Sequence, residues 1–215
     1  MERVAVLASG GLDSAVLIAD LAESAEVYPV YVACGLIWED AERAALDVYL
    51  AALDRPNLQP LASLSLPVRP LYGDHWSTTG VDVPDAASPA NAVYLPGRNV
   101  LLISLAAVWC STHAVPTIAI GSLDENPFPD ATPRFFADYA TLLSTALDFP
   151  LTVVAPYRGL HKDELIRRHA DLPLGLSLSC MQAQGGRHCG ACNKCAERRD
   201  AFAAAGVADL TRYAV

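Results

Sequence analysis

The sequence predicts a doubly wound α/β domain built on a parallel sheet, and two observations carry that expectation. Short apolar runs alternate with helical stretches along most of the chain. That order feeds parallel strands through helical crossovers. The first apolar run, residues 4–8, passes through Ser9-Gly10-Gly11-Leu12-Asp13-Ser14 into a helical stretch at 15–21. A strand, a glycine–serine turn and a helix start together form an anion site. The first helical N–H groups have no partner inside the helix, and the helix dipole favours negative charge there.

The other elements follow in order. Residues 26–33 read as a second strand, although Pro29 argues against pairing of its early part. Its far end lies beside the glycine–serine turn, where an adenine can sit. Cys34-Gly35-Leu36-Ile37-Trp38 then forms the loop at the carboxyl edge, with Cys34 as a small buried filler. Glu39-Asp40-Ala41-Glu42-Arg43 opens a helix with acids in its first turn. It runs to about Asp54, and Arg55-Pro56-Asn57 ends it. Residues 61–66 are a third strand. Residues 67–97 are rich in Pro, Gly and Asp, hold Tyr72, His75 and Trp76, and read as a long substrate-side loop or lid.

Pro96-Gly97-Arg98-Asn99 leads into an apolar helix at 100–113, with Trp109 and Cys110 in the core. Arg98 and Asn99 place a cation and an amide where an anion is welcome. Residues 117–121 form a strand whose last residue, Gly121, opens a loop. In that loop Asp124, Glu125 and Asp130 supply three carboxylates suited to Mg²⁺ or a polar substrate. Thr132 caps, and Pro133 begins, a helix that runs to about Leu147. Residues 151–155 are a further strand. A short helix starts within 159–166, with Lys162 near its beginning and within reach of a phosphate. A last helix occupies 196–205.

The 215 residues suffice for one such domain with a small appendage, divided as 1–172 and 173–215. With 24 acidic and 15 basic residues the net charge is −9. That argues against broad nucleic-acid binding but not against a small anionic ligand held by a few donors. The most apolar run, 100–110, is too short to span a bilayer. Met1-Glu2-Arg3 leads straight into the first strand, so the expected location is the cytoplasm.

Four cysteines, Cys180, Cys189, Cys192 and Cys195, form C-x₈-C-x₂-C-x₂-C, with Gly185, Gly186 and Gly190 at the bends. Four thiolates fill the tetrahedral shell of Zn²⁺ and make a structural site. An iron–sulfur cluster accepts similar spacing and stays open. Two disulfides do not suit a cytoplasmic chain.

The glycine–serine turn lacks the Lys of a Walker loop and the spacing of a dinucleotide fingerprint. Its S-G-G-x-D-S pattern resembles the pyrophosphate loop of ATP pyrophosphatases. Four further features occur in order with it: the P-G-R-N helix start, a Pro-Asp loop after an I-x-I-G strand, the His161-Lys162-Asp163-Glu164-Leu165 helix and the four-cysteine knot. Together they resemble the 7-cyano-7-deazaguanine synthase family over nearly the whole chain.

The resemblance implies an adenine nucleotide α-hydrolase-like fold with a C-terminal zinc-binding subdomain. It implies conversion of a 7-carboxy-7-deazaguanine to its nitrile in queuosine biosynthesis, using ATP, Mg²⁺, ammonia and a structural Zn²⁺. It implies that Ser9, Gly10, Gly11, Leu12, Asp13 and Ser14 surround the phosphates. Gly97, Arg98, Asn99, Gly121 and Lys162 would line the ATP and substrate pocket, with Asp13, Ser14, Arg98 and Lys162 catalytic. Cys180, Cys189, Cys192 and Cys195 would hold the zinc. A homodimer is expected from the family, with no direct nucleic-acid or membrane partner.

Three stretches depart from the family pattern. A Tyr-Gly-Gln-Arg-His type sequence is replaced by Cys34-Gly35-Leu36-Ile37-Trp38. The loop after Gly121 is shorter than usual. A Pro-Asp-Cys-Arg sequence becomes Pro129-Asp130-Ala131-Thr132. These departures spare the phosphate loop and the cysteines but fall near the expected acceptor pocket. They keep open a divergent ligase that stops at an amide with ammonia or another amine. A non-catalytic nucleotide-binding zinc protein is the third reading, and the intact loop speaks against it.

Overall fold

The computed structural model describes residues 1–124 and 126–215. Five strands, β1 (Arg3–Ala8), β2 (Glu26–Ala33), β3 (Ala62–Ser65), β4 (Thr117–Ala119) and β5 (Thr152–Val154), form one sheet in the order β3-β2-β1-β4-β5. Every pairing is parallel. The helices among the described residues are α1 (Leu12–Leu21), α2 (Glu39–Leu53), the single turns α3 (Arg69–Tyr72) and α4 (Trp76–Thr79), then α5 (Arg98–His113), α6 (Pro133–Leu147), α7 (Lys162–Arg168) and α8 (Asn193–Ala205).

Successive residues of β1 serve opposite faces, as the pleat requires. Val4, Val6 and Ala8 pack with Val16 and Leu17 of α1, Leu46 and Tyr49 of α2 and Phe202 of α8. Ala5 and Leu7 pack with Ile103, Ala106 and Cys110 of α5 and Phe136 of α6. The chain therefore winds α1 and α2 over one face and α5 and α6 over the other. The direction of winding reverses between β1 and β4. At such a switch point the flanking loops part and leave a crevice at the carboxyl ends of the strands. The glycine–serine loop leaves β1 at that position.

Pro29 sits inside β2, opposite Val6 of β1, so the strand starts earlier than the proline suggests. Val27 donates to Asn57 O, its own carbonyl accepts from Gln59 N, and Ala33 O accepts from Leu66 N. The odd-numbered residues of β2 thus address the β3 edge. Pro29 faces that edge before β3 begins at Ala62, where a missing N–H breaks no ladder bond.

Helix α1 begins at Leu12, three residues before the apolar run, because Gly11 already accepts from Ala15 N. Thr132 Oγ1 accepts from Phe135 N at 3.1 Å, so α6 starts where its cap and proline predict, and it ends at Leu147. Helix α8 begins at Asn193, earlier than the sequence indicates, with Cys192 at its N-cap.

Residues 67–97 are not an open loop. They fold into α3, α4 and a turn of 3₁₀ helix at Ala90–Val93. Val68 N donates to Cys34 O and Ile37 N to Ser77 O. At the other end Asn193 N donates to Pro84 O and Ala86 N to Ala191 O. The segment is a strap that ties the loop after β2 to the cysteine knot. Its short helices follow from paired prolines and glycines that allow only single turns.

Gly10 has φ +72°, and a Cβ there would lie 2.6 Å from the backbone oxygen of Glu42. Gly35 has φ +78° with open space around it. Gly35→Ala should therefore lose about 1–2 kcal/mol through backbone strain alone. Gly10→Ala should lose clearly more in the same urea titration, because α2 must also move.

Candidate active site and metal centre

The loop after β1 is built from its own hydroxyls. Ser14 Oγ accepts from Ser9 N at 3.2 Å and lies 3.1 Å from Ser9 Oγ. It also donates to Gly11 O at 3.1 Å. Ser9 Oγ accepts from Gly11 N at 3.3 Å. The loop is also held from outside: Leu178 N donates to Gly10 O at 2.7 Å, and Leu12 N donates to Ser179 Oγ at 3.5 Å. A Cβ at Gly121 would lie 3.0–3.1 Å from the backbone of Asp13 and Ser14. The end of the β4 segment thus presses on the start of α1, which needs a residue without a side chain.

These groups open on a cleft of about 300 Å³. Ser9, Gly11, Leu12, Asp13 and Ser14 line one wall, and Arg98, Asn99, Gly121 and Lys162 line others. Two expected residues stand behind the surface. Gly10 is buried against α2, and Gly97, with φ +69°, turns the chain into α5.

Lys162 is the cation nearest the loop. Its Nζ lies 3.4 Å from Asp13 Oδ2 and also pairs with Glu197. Lys194 Nζ reaches the other oxygen of Glu197 at 2.6 Å. Burial opposes the charge on Lys162, but Asp13 and then Glu197 outweigh it and hold the ammonium charged above its ordinary range. Burial likewise works against the Glu197 carboxylate, yet Lys162 and Lys194 pull it down to about 2. The result is a chain of alternating charges at the β4 end of the cleft, spanning α1, α7 and α8.

Three buried polar atoms at the cleft have no protein partner: Asp13 Oδ1, Arg98 Nε and Ser122 Oγ. A carboxylate oxygen, a guanidinium N–H and a hydroxyl left unpaired are costly unless a ligand meets them. They supply a cation ligand and anion donors, the set that a metal-bound polyphosphate needs.

Among the described residues of the acidic loop after Gly121 there is no cluster of metal-binding side chains. Asp130 is buried, its Oδ2 accepting from Asn99 N at 3.0 Å while Asn99 Nδ2 donates to Asp130 O. It anchors the first turn of α5. Asp124 is exposed, and Glu125 lies outside the described residues. Among the described residues the one cluster of metal-binding side chains is the cysteines. Cys34 is buried among apolar residues, and burial raises its thiol to about 11, which fits a filler.

Cys180, Cys189, Cys192 and Cys195 are all buried, with their sulfurs within 4.8 Å of one another. Cys192 and Cys195 sulfurs are 3.5 Å apart, and those of Cys189 and Cys195 are 3.9 Å apart. A tetrahedron of Zn–S bonds of about 2.3 Å sets sulfurs about 3.8 Å apart. Backbone N–H groups of Gln182, Cys189, Ala191 and Cys192 point at the sulfurs. Such donors stabilise thiolates and orient them. The cysteines therefore fit a zinc ion.

The groups that join this centre to the cleft carry no local signature in the sequence. Arg198 of α8 is 1 % exposed. It donates to Ser177 Oγ, Ser179 Oγ, Leu174 O and Thr211 Oγ1. His188, in the cysteine loop, accepts from Ser179 N at 2.9 Å. Burial and then Arg198 push it down to about 4, so it stays neutral and accepts. Ser179 and Leu178 in turn hold the glycine–serine loop.

Comparison with known proteins gives one consistent result. The family described as queuosine biosynthesis protein QueC matches residues 3–206. A 7-cyano-7-deazaguanine synthase from Azoarcus sp. (strain BH72) is 35% identical over 226 residues, covering 99% of this chain and 97% of that protein. Another from Dechloromonas aromatica (strain RCB) is 34% identical, covering 99% of each. A third, from Pseudomonas fluorescens (strain Pf0-1), is 30% identical, covering 99% of this chain and 96% of that protein.

If Arg198 transmits order from the metal centre to the loop, Arg198→Met should keep its metal but loosen residues 9–14. Faster amide hydrogen exchange at those residues, with unchanged metal content, is the expected result. Cys192→Ala should instead lose metal and soluble protein together, as metal analysis and unfolding will read.

Proposed function

The chain belongs to the QueC family, and on that premise we propose that it is an ATP-dependent, AMP-forming ligase that converts 7-carboxy-7-deazaguanine to 7-cyano-7-deazaguanine with ammonia. The observation that carries this reading is the cleft. An S-G-G-x-D-S loop, whose own Asp13 Oδ1 is unpaired, opens at the switch point of the sheet and is faced by Lys162 and Arg98.

The chemistry explains why such a site suffices. A carboxylate resists ammonia because its carbonyl is electron-rich and its leaving group is poor. Attack of the carboxylate oxygen on the α-phosphorus of ATP releases pyrophosphate and leaves an acyl adenylate. Ammonia then displaces AMP to give the amide. A second ATP adenylylates the amide oxygen and releases a second pyrophosphate; loss of AMP and of both amide protons then gives the nitrile. The protein has to position the partners and offset developing charge. No side-chain nucleophile is required.

In this reading Ser9, Gly10, Gly11, Leu12, Asp13 and Ser14 hold the phosphates. Lys162 exchanges its carboxylate partners for phosphate oxygens as pyrophosphate forms. Arg98 turns its free N–H to the acceptor or the α-phosphate, and Asn99 with Gly97 fixes the helix that carries it. Gly121 keeps the wall close to the loop. Asp13 and the triphosphate would hold Mg²⁺, which supplies charge neutralisation at the phosphates. Zn²⁺ in the cysteine centre is structural. The region 173–215 forms a subdomain around it, and the working form is a cytoplasmic homodimer. No helix among the described residues is long and apolar enough to cross a membrane.

Incubation with ATP, Mg²⁺, ammonia and 7-carboxy-7-deazaguanine should release two AMP per nitrile, followed by chromatography and product mass. AMP with an amide and no nitrile would replace this reading with an amide-forming ligase. No AMP with any carboxylate would end both. Asp13→Ala or Ser14→Ala should cut AMP release at least about a hundredfold, with the unfolding midpoint near that of the parent chain. The purified protein should be colourless, as zinc requires; a brown protein would point to an iron–sulfur cluster.

A further inference from the structure

One acid in the cleft has no part in the chemistry above. Glu42 occupies the first turn of α2, yet it lies on that helix's buried stripe with Leu46, Tyr49 and Leu53. Its side chain lines the cleft and is 9 % exposed. Five groups face it, Trp38 among them through a side-chain hydrogen bond. Tyr31 of β2 donates its hydroxyl to Oε2 at 3.4 Å. Cys34 stands in the loop that follows β2, Glu39 lies one turn back on α2, and Arg98 approaches from α5. The backbone oxygen of Glu42 abuts Gly10, so the acid is locked to the phosphate loop.

Glu42 stands at the β2 end of the cleft, while Lys162 and Lys194 stand at the β4 end with the loop between them. A triphosphate runs toward the cations, so the base of the nucleotide points the other way. The walls there suit a flat ring. Trp38 and Trp76 stack with centroids 5.6 Å apart and planes 24° apart, and Val93 and Leu95 complete the slot. Aromatic and aliphatic walls of this kind take a base by stacking.

We propose that Glu42 reads the edge of the adenine base of ATP, donating a carboxylic O–H to N1 and accepting from the 6-amino group. The inference rests on the ATP-dependent reading above and adds a specificity residue to it. That edge presents an acceptor beside a donor. A carboxylic acid offers the complementary pair, whereas a carboxylate can only accept. Burial first, and Glu39 next to it, push Glu42 up to about 8 against the opposing pull of Arg98. The group is therefore neutral, and able to donate, at neutral pH. Glutamine presents the same donor and acceptor at every pH, and alanine presents neither.

The test is equilibrium binding of two nucleotides to the full chain by calorimetry, without an acceptor. One is ATP; the other is purine riboside 5′-triphosphate, which lacks the 6-amino group. The parent chain should prefer ATP about tenfold, the discrimination a paired base contact gives. Glu42→Gln should keep that preference, and Glu42→Ala should lose it while still binding both. Binding of ATP to the parent chain should weaken as pH rises past about 8, because the proton that N1 needs is lost from the free protein. Binding to Glu42→Gln should stay level from pH 6 to 9.5.

Equal preference in the parent chain and Glu42→Ala would overturn the inference. So would unchanged ATP binding with a raised KM for the carboxylate, which would assign Glu42 to the acceptor ring. Absence of ATP binding by the parent chain would overturn the ATP-dependent reading along with it, and so separates the two failures.

Discussion

Three parts of the chain meet at the backbone of Gly10. Its carbonyl accepts from Leu178, its α-carbon lies against the Glu42 carbonyl, and its left-handed φ turns the chain toward α1. The N-terminal strand, the second helix and the C-terminal segment are thereby held in one register. Few residues but glycine satisfy both the angle and the space. The unpaired N–H groups of a helix start attract anions anywhere, but here their direction is set by contacts 32 and about 168 residues away in sequence, an order set by the fold.

The cysteine centre is the far anchor of that arrangement. It sits at the N-cap of α8, and α8 carries the buried Arg198 that gathers the 174–179 segment and the 209–211 tail. A guanidinium taken out of water demands partners for its fixed donors, so the segments it binds are positioned tightly. The same helix brings Lys194 to the cleft, and its Glu197 pairs with both Lys194 and Lys162. Zinc bound there would act on the cleft by holding the base of that helix, at a distance from the cleft itself.

The strap at 67–97 and the loop at 34–38 explain each other. The apolar residues at 34–38 look like a loss of function when set beside the family's polar sequence. In the fold Cys34, Leu36 and Trp38 are buried, and Trp38 stacks on Trp76 from the strap. The departure at 34–38 thus builds one aromatic wall together with the strap. Such a pair contributes beyond its buried area by about 0.5–1.5 kcal/mol, enough to hold two irregular segments together.

By itself the sequence determined the α/β class, the five strands, the glycine–serine loop between the first strand and helix, the cap at Thr132 and the four-cysteine cluster. Each is a local signal: a period, a turn residue or a short spacing. Glu42 marked itself in a weaker way, as a charged residue on the apolar stripe shared by Leu46, Tyr49 and Leu53. Only the tertiary structure decided that Asp130 supports α5 and stays out of the cleft, that Pro29 faces an unpaired edge, and that Lys162, Glu197 and Arg198 link the ends of the chain. Those outcomes depend on which side chains are brought together from separate elements of the fold. Burial, and with it the strength and sign of each electrostatic contact, exists only once the layers have packed.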